Sequence, residues 1–119
     1  IPVDKWPNSI NRAFKHMNPN VYVYMQGPSE FGITGDATLK DWDVTALLKT
    51  ITVPTLVIGA KHDTMDPKHM EWMSHEVQNG RFLFCPNGSH LSQYDDQKNY
   101  FKGVIQFLRD VNNGDFKKG

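Results

Sequence analysis

Apolar residues recur along this chain with two different periods, and each change of period marks an element. Near the start, Ile10, Ala13, Phe14 and Met17 fall at i, i+3, i+4 and i+7. That is one face of a helix, which follows Trp6-Pro7 and stops at Asn18-Pro19. The run Val21-Tyr-Val-Tyr-Met25 has a strand's composition. Asn18-Pro19, however, is a capping residue followed by a first-turn proline, so a short helix is expected there. Residues 26–32, Gln-Gly-Pro-Ser-Glu-Phe-Gly, show no period and read as turns. Further loop runs to Asp43, and Trp42 should anchor it by burying its ring. Val44, Leu47, Leu48 and Ile51 return to helical spacing, with Asp43 as the expected cap.

The pattern then changes. Thr55-Leu-Val-Ile58 is an unbroken apolar or β-branched run ended by Gly59, which suits a strand covered on both faces. Asp66-Pro67 is a helix start. The spacing predicts a helix over 67–78, with Met70, Met73 and Val77 on one face and Asn79-Gly80 as its end. Residues 81–85 read as a second strand around Phe82-Leu-Phe84, and 86–90 as a loop. The clearest helix spans 97–111, with Phe101, Val104, Ile105, Leu108 and Val111 as its buried face. The tail beyond Asn112 should fray.

Strand, helix, strand, helix predicts the α/β class with parallel strands. Two parallel strands do not make a stable sheet. Sheet partners beyond these 119 residues are therefore expected, and the chain reads as the carboxyl-terminal part of something larger. Its first residue, Ile1, agrees with a segment upstream.

Composition narrows the classes. Lysine and arginine total 13, as do aspartate and glutamate, so net charge argues for neither nucleic acid nor an anionic membrane as partner. The single Cys85 excludes an intrachain disulfide and suits a reducing, cytoplasmic setting. No apolar run is long enough to span a membrane, and no segment resembles a signal peptide.

Candidate chemistry lies just past the two strands. Asp63 follows the first and His90 the second. Adjacent parallel strands bring their following loops together at the carboxyl end of the sheet, where ligands bind in open α/β folds. A carboxylate there can hold an imidazole in one tautomer and stabilise its charged form, making the histidine a general base. Each residue also has an ordinary reading, Asp63 as a loop-capping aspartate and His90 as an exposed loop histidine; the matching positions favour the pair. Aspartate then histidine, each after a successive strand, is the order of the last two triad members in α/β-hydrolases. The sequence contains no Gly-x-Ser-x-Gly nucleophile elbow, and Ser89, beside His90, cannot supply that geometry. His16, His69 and His75 fall on predicted helices and read as solvent-facing. His62, Asp63, Asp66 and His69 lack a zinc-ligand spacing, so neither a metal nor a cofactor is expected. Cys85 reads as a buried small hydrophobe.

These residues carry a resemblance. Val53-Pro-Thr-Leu56, Gly59-x-x-x-Asp63, Pro67, Asn87-Gly-Ser-His90 and Phe107-Leu108 are similar to the carboxyl-terminal portion of an α/β-hydrolase. Met25-Gln-Gly-Pro-Ser-Glu-Phe31, Asp41-Trp-Asp43 and Cys85-Pro-Asn-Gly-Ser-His90 resemble, more narrowly, the proline iminopeptidase (prolyl aminopeptidase) family. The resemblance implies that 1–50 are the end of a helical cap with its return segment. It implies that 51–119 are the carboxyl-terminal part of the hydrolase core, with the last two parallel strands and their helices. It makes Asp63 the triad acid, His90 the base and Glu30 the residue that binds the free amine of the substrate. A carboxylate is a sensible partner for an ammonium group.

The implied activity is release of an amino-terminal proline from peptides by a serine aminopeptidase. Its nucleophile and oxyanion hole would lie upstream, in the missing part of the same domain, so this chain alone should be inactive. Some members carry a second amine-binding glutamate where this chain has Thr64. The alternatives are another α/β-hydrolase, such as an esterase or a different aminopeptidase, and a non-enzymatic binding module.

Overall fold

The computed structural model describes residues 5–28 and 35–119, which divide between two compact units that meet in sequence at Asp43 and Val44. The amino-terminal unit carries helices α1 (Asn8–Lys15) and α2 (Pro19–Gln26). In α1, Phe14 lies over Trp6 with ring centroids 5.3 Å apart. In α2 the cap decides the fold of a strand-like composition: the Asn18 side chain accepts from the amides of Asn20 and Val21, and Pro19 opens the first turn. Neither helix buries a residue. Trp42, expected to anchor the loop before it by burial, is 64% exposed. It sits at the end of a series of turns, where Trp42 N–H bonds the Leu39 carbonyl, and the ring is left outward.

The second unit begins with a 3₁₀ segment, Thr45–Thr50, in place of the expected α-helix. Its cap position is Val44, which has no side-chain acceptor to offer, and the β-branched Thr50, Ile51, Thr52 and Val53 discourage continuation. Strand β1 (Thr55–Ala60), helix α3 (Pro67–Glu76), strand β2 (Gly80–Cys85), a single-turn helix α4 (Ser92–Asp95) and helix α5 (Gln97–Asn112) follow. The strands are parallel and in register, from Thr55 opposite Gly80 to Ala60 opposite Cys85. β1 runs through Gly59 rather than ending there. A Cβ at Gly59 would lie 2.9 Å from the Phe82 ring and 3.3 Å from the Pro67 backbone, so the glycine lets a ring and a helix start close over the strand.

The core is small. Val57, Ala60, Val77 and Cys85 are buried, and α3 packs against both strands. The predicted face of α5 is on the helix as expected but is not buried. Phe101, Ile105 and Leu108 are 42%, 44% and 57% exposed, and β2 likewise leaves Phe84 at 44%. An apolar stripe shows which way a helix would pack, while burial needs a second surface to meet it.

The tail does not fray. Gly119 N–H donates to the Gly80 carbonyl and Phe82 N–H to the Gly119 carbonyl, so the tail runs along the edge of β2 away from β1. Arg81 holds it there. Its guanidinium bonds Asp110 at 2.7 Å, reaches the Lys117 carbonyl at 3.4 Å and lies 5.0 Å from the centroid of the Phe116 ring. The hydrogen bond from Arg81 keeps the Asp110 carboxyl below the ordinary carboxylate range. Among the described residues no helix is long and apolar enough to cross a membrane.

Candidate active site at the carboxyl ends of the strands

The loop after β1 is built from its own sequence. Asp63 Oδ1 accepts from the amide of Met65, two residues on, at 3.2 Å, and from the Thr64 hydroxyl at 3.4 Å. Three residues later Asp66 accepts from the Lys68 amide at 2.9 Å and starts α3. These are short-range side-chain turns that aspartates make with the backbone just ahead of them.

The loop after β2 is held by its neighbours. The amides of Lys61 and His62 donate to the carbonyls of Cys85 and Gly88, at 3.2 and 2.9 Å, so the two loops are tied together just past the ladder. Gly88 sits where a Cβ would lie 3.0 Å from both the Cys85 and Ser92 side chains, each of them buried. Only a residue without a side chain lets the chain turn that close.

This arrangement brings Asp63 and His90 together. His90 Nδ1 lies 3.2 Å from each carboxylate oxygen of Asp63. The Asp63 side chain is 10% exposed and that of His90 is 69% exposed. An ionised carboxylate can only accept, so in the neutral imidazole Nδ1 carries the proton and Nε2 the lone pair. The couple therefore has the chemistry of an oriented general base: an imidazole fixed in one tautomer, with a carboxylate against the ring that would stabilise its protonated form. A cleft of ≈ 220 Å³ opens beside the pair, with Ile58 and Met65 among its apolar walls and Gln93 and Tyr100 among its polar groups.

Glu30 lies outside the described residues. Thr64 is exposed beside Asp63. His16, His69 and His75 are exposed, and His69 stacks on Trp72 with centroids 5.3 Å apart. Among the described residues no group of three or more histidine, cysteine or acidic side chains is placed to hold a metal. Cys85 is fully buried, and burial, helped by the nearby Asp96 and Asp95 carboxylates, pushes its thiol up.

Sequence reasoning overlooked the acidic pair that follows His90. Asp95 accepts from both the amide and the hydroxyl of Ser89, and Asp96 from the amide of Asn87. A cluster of short polar residues between a loop and a long helix was the available signal, but nothing in its spacing says which backbone it turns back upon.

No family model matches the chain. Curated relatives do. It is 58% identical over 110 residues to a proline iminopeptidase of Flavobacterium johnsoniae, covering 92% of this chain and 36% of the relative. It is 53% identical over 113 residues to one of Chitinophaga pinensis, covering 95% and 37%. Among solved structures, the crystal structure of a proline iminopeptidase from Mycobacterium smegmatis superposes with a TM-score of 0.79 at 31% identity, over 91% of this chain and 36% of that one. The chain thus spans little more than a third of the length of the relatives it matches.

Proposed function

The chain corresponds to a carboxyl-terminal portion of an α/β-hydrolase of the proline iminopeptidase family, and from this we propose that it supplies the acid and base of a serine aminopeptidase. Asp63 orients His90 through Nδ1, and Nε2 takes the proton of a serine hydroxyl as its oxygen attacks the carbonyl of an amino-terminal proline residue. The same Nε2 then returns that proton to the departing amine of the shortened peptide, and a second round with water frees the proline. The serine and the donors for the oxyanion belong to the part of the hydrolase domain that these 119 residues do not contain. By sequence match Glu30 takes the ammonium of the substrate. The observation that carries the proposal is the 3.2 Å contact of His90 Nδ1 with Asp63, at the ends of adjacent parallel strands, in a chain this similar to proline iminopeptidases. We propose a cytoplasmic setting, which the free thiol of Cys85 suits.

The substrate reading is tested on the complete enzyme with Glu30→Gln. The substitution keeps the shape and removes a charge-assisted bond worth about 1.5–3 kcal/mol, so kcat/KM on a prolyl arylamide should fall roughly ten- to a hundredfold. A substrate with a blocked amine should be spared. Equal losses on both would make Glu30 a support of the fold. Faster turnover of short-chain esters than of the arylamide would make the enzyme an esterase. The 119-residue chain alone should turn over neither above background.

A further inference from the structure

The backbone on both sides of His90 is fastened to one carboxylate. Asp95 accepts from Ser89 N–H at 3.0 Å and from the Ser89 hydroxyl. That hydroxyl, its proton committed to Asp95, accepts from Leu91 N–H at 3.1 Å. The amides before and after His90 thus converge on the same Asp95–Ser89 unit. Other bonds complete the anchorage: the Ser92 hydroxyl donates to the Ser89 carbonyl at 2.6 Å, and Asn87 N–H donates to the 6%-exposed Asp96 at 3.1 Å. Among the described residues the His90 ring has one side-chain hydrogen-bond partner, Asp63, and it is mostly exposed.

We propose that Asp95, acting through Ser89, is a positioning residue that aims the His90 ring at Asp63. The proposal rests on His90 being the base. Burial raises the Asp95 carboxyl and the two bonds it accepts from Ser89 lower it. A carboxylate that accepts both bonds is a charged acceptor, and charge-assisted bonds of this kind are about twice as strong as neutral ones. A misdirected ring costs rate more than affinity, because the imidazole acts when the proton moves.

The test uses the complete enzyme with Asp95→Ala, Asp95→Asn and Ser89→Ala, each ¹⁵N-labelled at histidine. In the parent enzyme His90 should show a single tautomer with its proton on Nδ1. Asp95→Ala should mix the tautomers and lower kcat about 10- to 100-fold with KM within about twofold, the scale of a small misplacement of a catalytic group. Asp95→Asn keeps an acceptor and should lose less, as should Ser89→Ala, which keeps the amide bond. If Asp95→Ala does not fold, the two milder variants carry the test. An unmixed tautomer and an unchanged kcat in the folded variants would overturn the proposal, as would an equal loss in kcat and KM with the parent tautomer retained. The nitrogen shifts need no substrate, so they answer for Asp95 even if prolyl peptides prove not to be what the enzyme cleaves.

Discussion

The two loops that meet at the carboxyl ends of β1 and β2 are made in different ways. The Asp63 loop is a local product: Asp63 bonds the amide two residues ahead, Asp66 caps the helix that follows, and Pro67 fixes its first turn. The His90 loop has local turns of its own, Leu91 N–H to the Ser89 hydroxyl and the Ser92 hydroxyl to the Ser89 carbonyl, and leans as well on acceptors farther along the chain. Its amides are satisfied by Asp95, Asp96 and Cys85, and its Gly88 carbonyl by His62 from the other loop. Asp63 therefore sits on a segment turned mainly by residues within three positions of it, and His90 on one that also depends on side chains five and six positions ahead of it.

The comparison is sharpened most by removing the side chains themselves. In the complete enzyme, His90→Ala should cost on the order of 10⁶-fold in kcat and Asp63→Asn on the order of 10⁴-fold, as in other enzymes built on this constellation. The Asp63→Asn loss measures what orientation and charge add to the base, and the gap between the two what the imidazole does without them. If Asp63→Asn lost less than about tenfold, the contact would be a surface ion pair, and the acid would have to be sought elsewhere.

The same division explains what the sequence could tell. Helix α2, the start of α3 and the Asp63 turn were legible because Asn18-Pro19, Asp66-Pro67 and Asp63 act within four residues of themselves. The two strands and their parallel pairing followed from apolar runs alternating with a helical period. Three things were not legible. The apolar stripe of α5 was read as a buried face, and among the described residues it stays exposed, Leu108 at 57%, with too little there to cover it. The tail was read as loose because no helical or strand period continues into it; it is held in part by Arg81, thirty-six residues before Lys117 in sequence. The Asp95 and Asp96 anchors turn back six and nine residues to Ser89 and Asn87, a reach that no periodic pattern encodes.

A smaller effect tests whether the His90 loop depends on its tertiary seat. In Gly88→Ala the added methyl would meet Cys85 and Ser92 at 3.0 Å, and neither can yield, since both are buried in the same corner. The loop has to shift by a few tenths of an ångström instead. We expect a loss of about 1–3 kcal/mol in stability, the usual range for overpacking, and roughly ten- to a hundredfold in kcat. Urea denaturation and steady-state kinetics on the same preparation would check both. Unchanged kcat with lowered stability would mean that the ring finds Asp63 by its own freedom, and the loop need not be held.

The smallest effect should come from the local loop, and its smallness is the point. Asp66→Ala removes the acceptor for Lys68 N–H at the start of α3. Losing such a cap typically costs about 1 kcal/mol. The helix itself packs on both strands, so it should remain in place with a frayed first turn. Asp63 keeps its own bond to Met65 N–H, which does not pass through Asp66. The direction of its carboxylate should therefore survive, and kcat should change by less than about twofold, since a cap lost one turn away moves no reacting group. The midpoint of urea denaturation should fall while the pH dependence of kcat stays where it was. A tenfold drop in kcat at unchanged stability would reverse the comparison: the acid would then depend on the seating of α3 as much as the base depends on α4, and neither loop could be called locally made.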